Sequence, residues 1–450
     1  MANPPRRFGT AERLAILSPE SLRRLDEAAL EVLQNVGVGV ASASARAALA
    51  RAGALVDGGV VRLPEATVRR LVGESPSRIT LGARAAAPLV TGERSLLTTD
   101  GCCVEIYDLE TGAKRGTVAA DVAAIARVAD ALPEIDFCWP AVSAQDRPVE
   151  RRGLHELQLA LANTGKHVQT VTVVEPSQAE AAVSMAKAVA GGAGRCREQP
   201  PISALLGTVT PLATDADTLD AGLVFAAAGI PVGFVTMPMG GSTTPITMAG
   251  ALVVGIAEVL AGVCAVQSAC PGAPVFICFI PSIMDLQTGD FTGGAPEDTI
   301  MAAAVADVGA YYGLPTQCGV NASGAKGPGW QSALDDTTTT LLSVAAGVDM
   351  LTGVGMVSGG RIFSYEEMAL AAGVMGRVRR LARGLDVRTL DSGRHDRAAT
   401  VAAPACAQPR SICDVDDVAD ARVRVSEILA RHQPPALGVR LETELRRLAG

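Results

Sequence analysis

From residue 95 onward, short apolar or β-branched runs alternate with longer stretches whose apolar positions recur every three or four residues. The first kind reads as strand and the second as amphipathic helix. Strand-like runs fall at 95–100, 135–142, 167–174, 202–210, 231–238, 274–281, 315–321 and 348–357, each followed by a helical stretch. Several helices end in glycine just before the next strand, as at Gly229 ahead of Ile230 and Gly313 ahead of Leu314. A glycine there accepts the left-handed backbone that closes a last helical turn. Strand starts recur roughly every 30–40 residues, the size of a βαβ unit. Eight such units specify an α/β fold, a (β/α)8 TIM barrel. A doubly wound sheet is the rival, and it is weaker because no strand–helix turn carries GxGxxG or P-loop spacing.

Residues 1–95 predict a helical N-terminal cap with small hairpins. Ser18 and Ser21 can cap a helix over 19–38. A second helix is expected over 44–54, and Asp57-Gly58 marks a hairpin. Pro64 stands early in a third helix over 64–72. Short β-like pieces at 78–85 and 103–116 complete this part. The barrel is expected over 96–385. Residues 386–450 then read as an irregular segment and a short helical extension over 417–432 and 440–450.

Composition narrows the classes. Of 450 residues, 48% are hydrophobic and 19% charged, with mean hydropathy +0.28, which excludes disorder. A net charge of −8 offers no cationic surface overall, so no nucleic-acid partner is expected. The stretch 249–266 resembles a membrane span, apolar except for Glu258. A charge at the centre of an isolated span costs about 2.5–3.5 kcal/mol, and no comparable segment follows. Small residues at close intervals suit a helix packed on a sheet or on another subunit, so a buried helix, no membrane and a homo-oligomer are expected. Ten cysteines without CxxC spacing, and no apolar leader in the sequence given, fit a reduced, cytoplasmic chain. The four histidines form no HxxxH pattern, and no metal site is expected.

In such a barrel the chemistry gathers on loops after the strands. Those loops offer Asp100, Gly101, Cys102 and Cys103; Trp139; Glu175; Thr210 and Asp215; Met237 and Met239; Ser282 and Asp285; Asn321, Ser323, Lys326, Trp330 and Gln331; then Ser358 and Arg361. No histidine stands at a strand end, which disfavours a Ser–His or Cys–His nucleophile. The remaining set of methionine, aromatic, amide and carboxylate suits a small cation bearing methyl groups. Asp285, Asn321, Trp330 and Gln331 are the expected substrate contacts, with Phe279 and Trp139 as cage walls and Phe291 nearby; no catalytic residue is singled out. The plainer readings are top-of-core packing for a tryptophan and a turn cap for Asp285.

At these residues the sequence resembles the trimethylamine methyltransferase family, in its branch without pyrrolysine. The likeness runs from the first helix to about residue 384. It is carried by YDLETGAKRG, VTPLATDADTL, AAAGIPV, MPMGGSTTPITMAGALVVGIAEVLAGVCAVQSACPGAPVF, MDLQTGD and YYGLP. The resemblance implies transfer of a methyl group from a quaternary or tertiary methylamine, betaine-like, to the Co(I) corrinoid of a partner protein. It implies no cofactor held tightly by this chain itself. A quaternary nitrogen leaves without protonation, so the absence of a general base fits catalysis by positioning. Departures from the family pattern are Ala371 and Gly373 in place of an acidic pair, and Asp335 in place of glutamate. The stretch 392–414 also stands where a glycine- and histidine-rich one is expected. They motivate the alternative of a catalytically degenerate barrel that binds a methylated amine without methyl transfer.

Overall fold

Eight parallel strands close on one another in sequence order: β1 (Leu96–Thr99), β2 (Phe137–Cys138), β3 (His167–Thr170), β4 (Ile202–Gly207), β5 (Val232–Thr236), β6 (Val275–Phe279), β7 (Thr316–Gly319) and β8 (Met350–Val354). β8 pairs with β1 and β1 with β2, so no barrel edge is left open. The computed structural model describes residues 7–8, 11–289, 292–320, 322–384 and 417–450. Each strand is followed by the helix its periodicity predicts: α1 (Ala119–Ala131), α2 (Arg152–Asn163), α3 (Pro176–Ala190), α4 (Ala216–Ala227), α5 (Met248–Ala269), α6 (Pro296–Tyr312), α7 (Trp330–Ala346) and α8 (Tyr365–Ala382). Gly229 and Gly313 both adopt positive φ, 78° and 70°, as the capping argument requires.

Strand alternation sorts the side chains into two cores. Leu96, Phe137, Leu205, Phe276, Cys278 and Met350 point into the barrel. Leu97, Val168, Ile202, Leu206, Val275, Ile277 and Leu351 point out toward the helices. The hairpin formed by Thr80–Leu81 and Leu89–Val90 sends Ile79 and Leu81 into the inner core, among residues from the strand beginnings. The end of the barrel where the strands begin is thereby filled, and the opposite end faces the loops.

α5 is apolar on every face because every face is covered. Its inner side lies on β5 and β6, and the cap helices Pro19–Glu31, Ala43–Arg51 and Glu65–Gly73 lie on its outside. Among the described residues it is the one helix long and apolar enough to cross a membrane, and the fold buries most of it. Its small residues permit close approach: a Cβ on Gly262 would stand 2.5 Å from the Phe234 ring. The cap is tied down by the buried Asp26, which accepts from Tyr312 Oη at 2.6 Å and pairs with Arg69 at 2.5 Å.

Two local details depart from the sequence reading. The first helix ends at Glu31, continues as a wider turn over Val32–Val36, and gives way to a strand at Val38–Val40. Gly37, at φ 85°, makes that change of direction possible. The β-like piece at 103–116 is a hairpin, Glu105–Tyr107 with Lys114–Gly116, and it lies between β1 and α1. There it pairs with Ile362–Phe363 from the loop after β8, forming a small sheet beside the barrel opening. After the barrel, α9 (Val418–Arg431) packs on α8 and α1, and α10 (Val439–Ala449) packs on α2 and α3. Arg422 of α9 bonds Glu366 at 2.9 Å, and His432 Nε2 meets Asp130 at 2.8 Å. The stretch 392–414 lies outside the described residues.

Candidate active site at the barrel opening

Alternation along each strand decides which residues floor the opening. Because Leu96 points inward, Asp100 also does, two steps beyond Thr98. Val171, Val235 and Ile280 pack against the inner core and remain partly exposed, and Trp139 belongs to that core. These positions come from five of the eight strands or their ends, β1 to β3, β5 and β6. Gly101 fits closely here: a Cβ on it would stand 2.8 Å from the Pro140 carbonyl oxygen, with Val171 Cγ2 at 3.5 Å and Trp139 Cε3 at 3.7 Å. The floor is largely apolar, with the Asp100 carboxyl and the Thr352 hydroxyl as polar groups.

Asp100 is only 5% exposed. Its Oδ1 accepts from the Gly101 N–H at 2.7 Å, and the Thr352 hydroxyl lies within hydrogen-bond reach. Burial raises its carboxyl to about 7, and the bonds from Gly101 and Thr352 only partly oppose this. Trp139 Nε1 is buried with no hydrogen-bond partner among the described residues.

Below the floor a polar chain crosses the interior. Gln317 Nε2 donates to Gln169 Oε1 at 3.0 Å, Gln169 Nε2 donates to Ser203 Oγ at 3.2 Å, and Ser203 Oγ meets His167 Nε2 at 2.9 Å. Burial lowers His167 to about 4, so its ring is neutral at physiological pH. It sits at the start of β3, away from the opening, and supplies no base there. Burial likewise raises the Cys102 and Cys103 thiols, which removes a ready thiolate. Among the described residues no group of three or more His, Cys, Asp or Glu side chains is arranged to hold a metal ion.

The expected contacts are dispersed. Trp139 is in the floor. Phe279 turns the other way: it is fully buried in the strand–helix core, and its ring lies 3.0 Å from where a Cβ on Gly255 would stand. Strand parity is the reason, since Cys278 and Ile280 take the inward positions, and Phe279 forms no cage wall. Asp285 is on the loop after β6, where its Oδ1 accepts the Gln287 N–H at 2.8 Å. That bond holds its carboxyl below the usual range, as in a turn cap. Trp330, 83% exposed, and Gln331 occupy the first turn of α7 on the rim. Asn321 and Phe291 lie outside the described residues.

Sequence reasoning names Asp100 among the loop residues after β1 but does not select it, because its burial is a property of the folded barrel. It also missed a buried carboxyl pair beside the opening. Asp336 of α7 is fully buried beside Glu367 of α8, and Glu367 accepts from Ser332 Oγ at 2.9 Å. Burial raises both carboxyls; the charges of Glu367 and Asp335 raise Asp336 further, and those of Asp335 and Glu366 raise Glu367. The doubled acids in ALDDT and SYEEM are the sequence signal for it.

The sequence profile described as trimethylamine methyltransferase (MTTB) matches residues 4–402. The chain belongs to the trimethylamine methyltransferase family. It is 32% identical over 391 residues to the trimethylamine methyltransferase of Methanosarcina thermophila, covering 83% of this chain and 79% of that one. The corresponding enzyme of Desulfitobacterium hafniense is 31% identical over 378 residues, covering 83% and 76%. A glycine betaine methyltransferase of the same species is 27% identical over 373 residues, covering 82% and 78%. In fold the chain is similar to the crystal structure of the Methanosarcina barkeri monomethylamine methyltransferase, with a TM-score of 0.55 at 11% identity over 97% of this chain and 86% of that one.

Proposed function

We propose that this family member moves a methyl group from a quaternary or tertiary methylamine, betaine-like, to the Co(I) corrinoid of a separate partner protein. The floor of the opening is the observation that carries the reading. It presents an indole, three aliphatic side chains and one acid, with no thiolate, imidazole or metal cluster among the described residues. Such a surface holds a methylated cation and excludes water, and it is unsuited to hydrolysis. The relatives named above are methyltransferases acting on trimethylamine and glycine betaine. In this reading the partner's corrinoid supplies the electron pair that takes the methyl group. The chain's own residues bind the amine, aim one methyl outward and keep the nitrogen dry, which is catalysis by positioning.

The rim suits a protein partner. Met237 is 57% exposed, Leu286 64% and Trp330 83%, all on loops or first turns at the open end. Large apolar side chains clustered on one rim mark an interaction surface. Trp330, Gln331 and Asp285 are proposed to meet what approaches the opening, and Trp139 to contact the amine. A cytoplasmic homo-oligomer belongs to the same reading.

The test mixes the protein with a reduced corrinoid protein and a panel of trimethylamine, glycine betaine and related amines. The spectrum of the methylated corrinoid should appear with at least one of them. Amine binding without any transfer across the panel would favour the degenerate barrel and sink the reading.

A further inference from the structure

We propose that Asp100 is the counter-charge for the substrate's ammonium group, holding the methylated nitrogen against Trp139, Val171, Val235 and Ile280 at the floor of the barrel. This deepens the reading above and rests on it. Four observations converge. Asp100 is inward-facing and almost fully buried at the carboxyl end of β1, where substrate contacts of this fold gather. At this end of the barrel Val171, Val235 and Ile280 pack on the inner core as partly exposed aliphatic side chains. Beside it the Trp139 ring packs at Gly101, and an indole face attracts a methylated cation. The other titratable groups that feel Asp100 are the thiols of Cys102, Cys103 and, across the barrel, Cys278; no lysine, arginine or histidine among the described residues contributes to its ionisation.

A buried carboxyl without a cation is unfavourable when ionised. It becomes favourable when a cation enters the same dry space. Among the described residues Asp100 has one strong backbone donor and no salt-bridge partner, unlike Asp136 or Asp26, whose carboxylates are met by arginines. The geometry therefore leaves the positive partner to be supplied by the ligand. Methyl loss converts an ammonium cation to a neutral amine, so the attraction disappears as the C–N bond breaks. Asp100 then contributes to substrate binding and lets the demethylated product go, and it does not lower the barrier itself.

Tetramethylammonium, whose charge does not titrate, is the probe. Because burial raises the carboxyl to about 7, binding that requires its ionised form should tighten about tenfold between pH 6 and pH 8. Calorimetry at pH 7 in buffers of different ionisation enthalpy should show about half a proton released per ligand bound. Asp100→Asn should weaken binding at least ~30-fold, in the range of a lost buried charge pair, and abolish the pH dependence. In turnover with a corrinoid protein, the same variant should raise the KM for the amine with kcat unchanged or higher.

Wild-type binding with neither pH dependence nor proton release overturns the proposal, and that measurement does not depend on the variant folding. Wild-type binding and transfer that Asp100→Asn leaves untouched also overturns it while the methyl-transfer reading stands. If the wild-type protein binds no methylated ammonium at all, both fall together.

Discussion

The Thr236 hydroxyl donates to Glu258 Oε2 at 2.6 Å in the middle of the most apolar helix of the chain. The same carboxylate accepts from Thr208 Oγ1 at 2.6 Å, Thr210 Oγ1 at 2.9 Å and the Leu212 N–H at 2.8 Å. Three of these donors belong to the segment after β4, at the open end of the barrel. Leu212 stands at φ 55°, a left-handed conformation that disfavours a branched side chain by roughly 1–2 kcal/mol. Glu258 thus anchors a strained part of the rim from inside α5. Glu258→Ala should destabilise the protein by about 3 kcal/mol or more, because four donors lose a charged acceptor in a buried place. Denaturant titration reads this, and a loss below about 1 kcal/mol would show that water replaces the carboxylate there.

Asp100 should act on stability in the opposite direction. The folded chain keeps a proton on it up to about pH 7, whereas the ordinary carboxyl value is 3.8. Its folded value is raised, so stability is fully present below pH 4 and is lost as the pH climbs to 7. Above that the penalty is of order 4 kcal/mol. Asp100→Asn removes the penalty. Its melting temperature should exceed that of the wild type at pH 8 and match it near pH 4; parallel curves at all pH values would contradict this.

The Asp336–Glu367 pair predicts the same sign at a second place. Burial raises both folded carboxyls, and the charge of Glu367 raises Asp336 further, so a proton there is bound more tightly in the folded state. Asp336→Asn keeps a donor toward Glu367 without needing that proton. The variant should gain thermal stability relative to wild type as the pH rises from 5 to 8. A gain that is the same at both ends of the range would show that the pair does not titrate there.

Trp330 offers a contrast between stability and function. At 83% exposure its removal leaves no cavity, so Trp330→Ala should leave the melting temperature unchanged. If the rim receives the corrinoid protein, the KM for that protein should rise on the order of tenfold or more, as for an exposed aromatic anchor at an interface. An unchanged KM would remove Trp330 from the interface.

Close packing of α5 supplies a purely structural test. A side chain on Gly262 would run into the Phe234 ring at 2.5 Å. Gly262→Val should cost about 1–3 kcal/mol through overpacking, visible as a lower unfolding midpoint. A neutral result would mean that the helix shifts away from β5 without penalty.

The amino-acid sequence by itself determined the barrel, because strand and helix periods are local properties of ten to twenty residues. All eight expected strands and their helices are present, and the glycines at 229 and 313 close helices as their position implies. The family was legible for a related reason: its motifs are contiguous runs such as MPMGGSTTP and MDLQTGD. The site was legible only as a set of loops. Position at a strand end drew attention to Phe279, yet a one-residue step along β6 sends that ring to the helix layer and leaves Ile280 facing the opening. Asp100 looked like one loop acid among several until the fold buried it, with Thr352 of β8 beside its carboxyl. Likewise Glu258 read as an isolated charge until the fold brought three threonines to it. Period and turn chemistry are set by neighbours in sequence. Burial, and with it the energy of a charge, is set by neighbours in space, and only the closed barrel decides who they are.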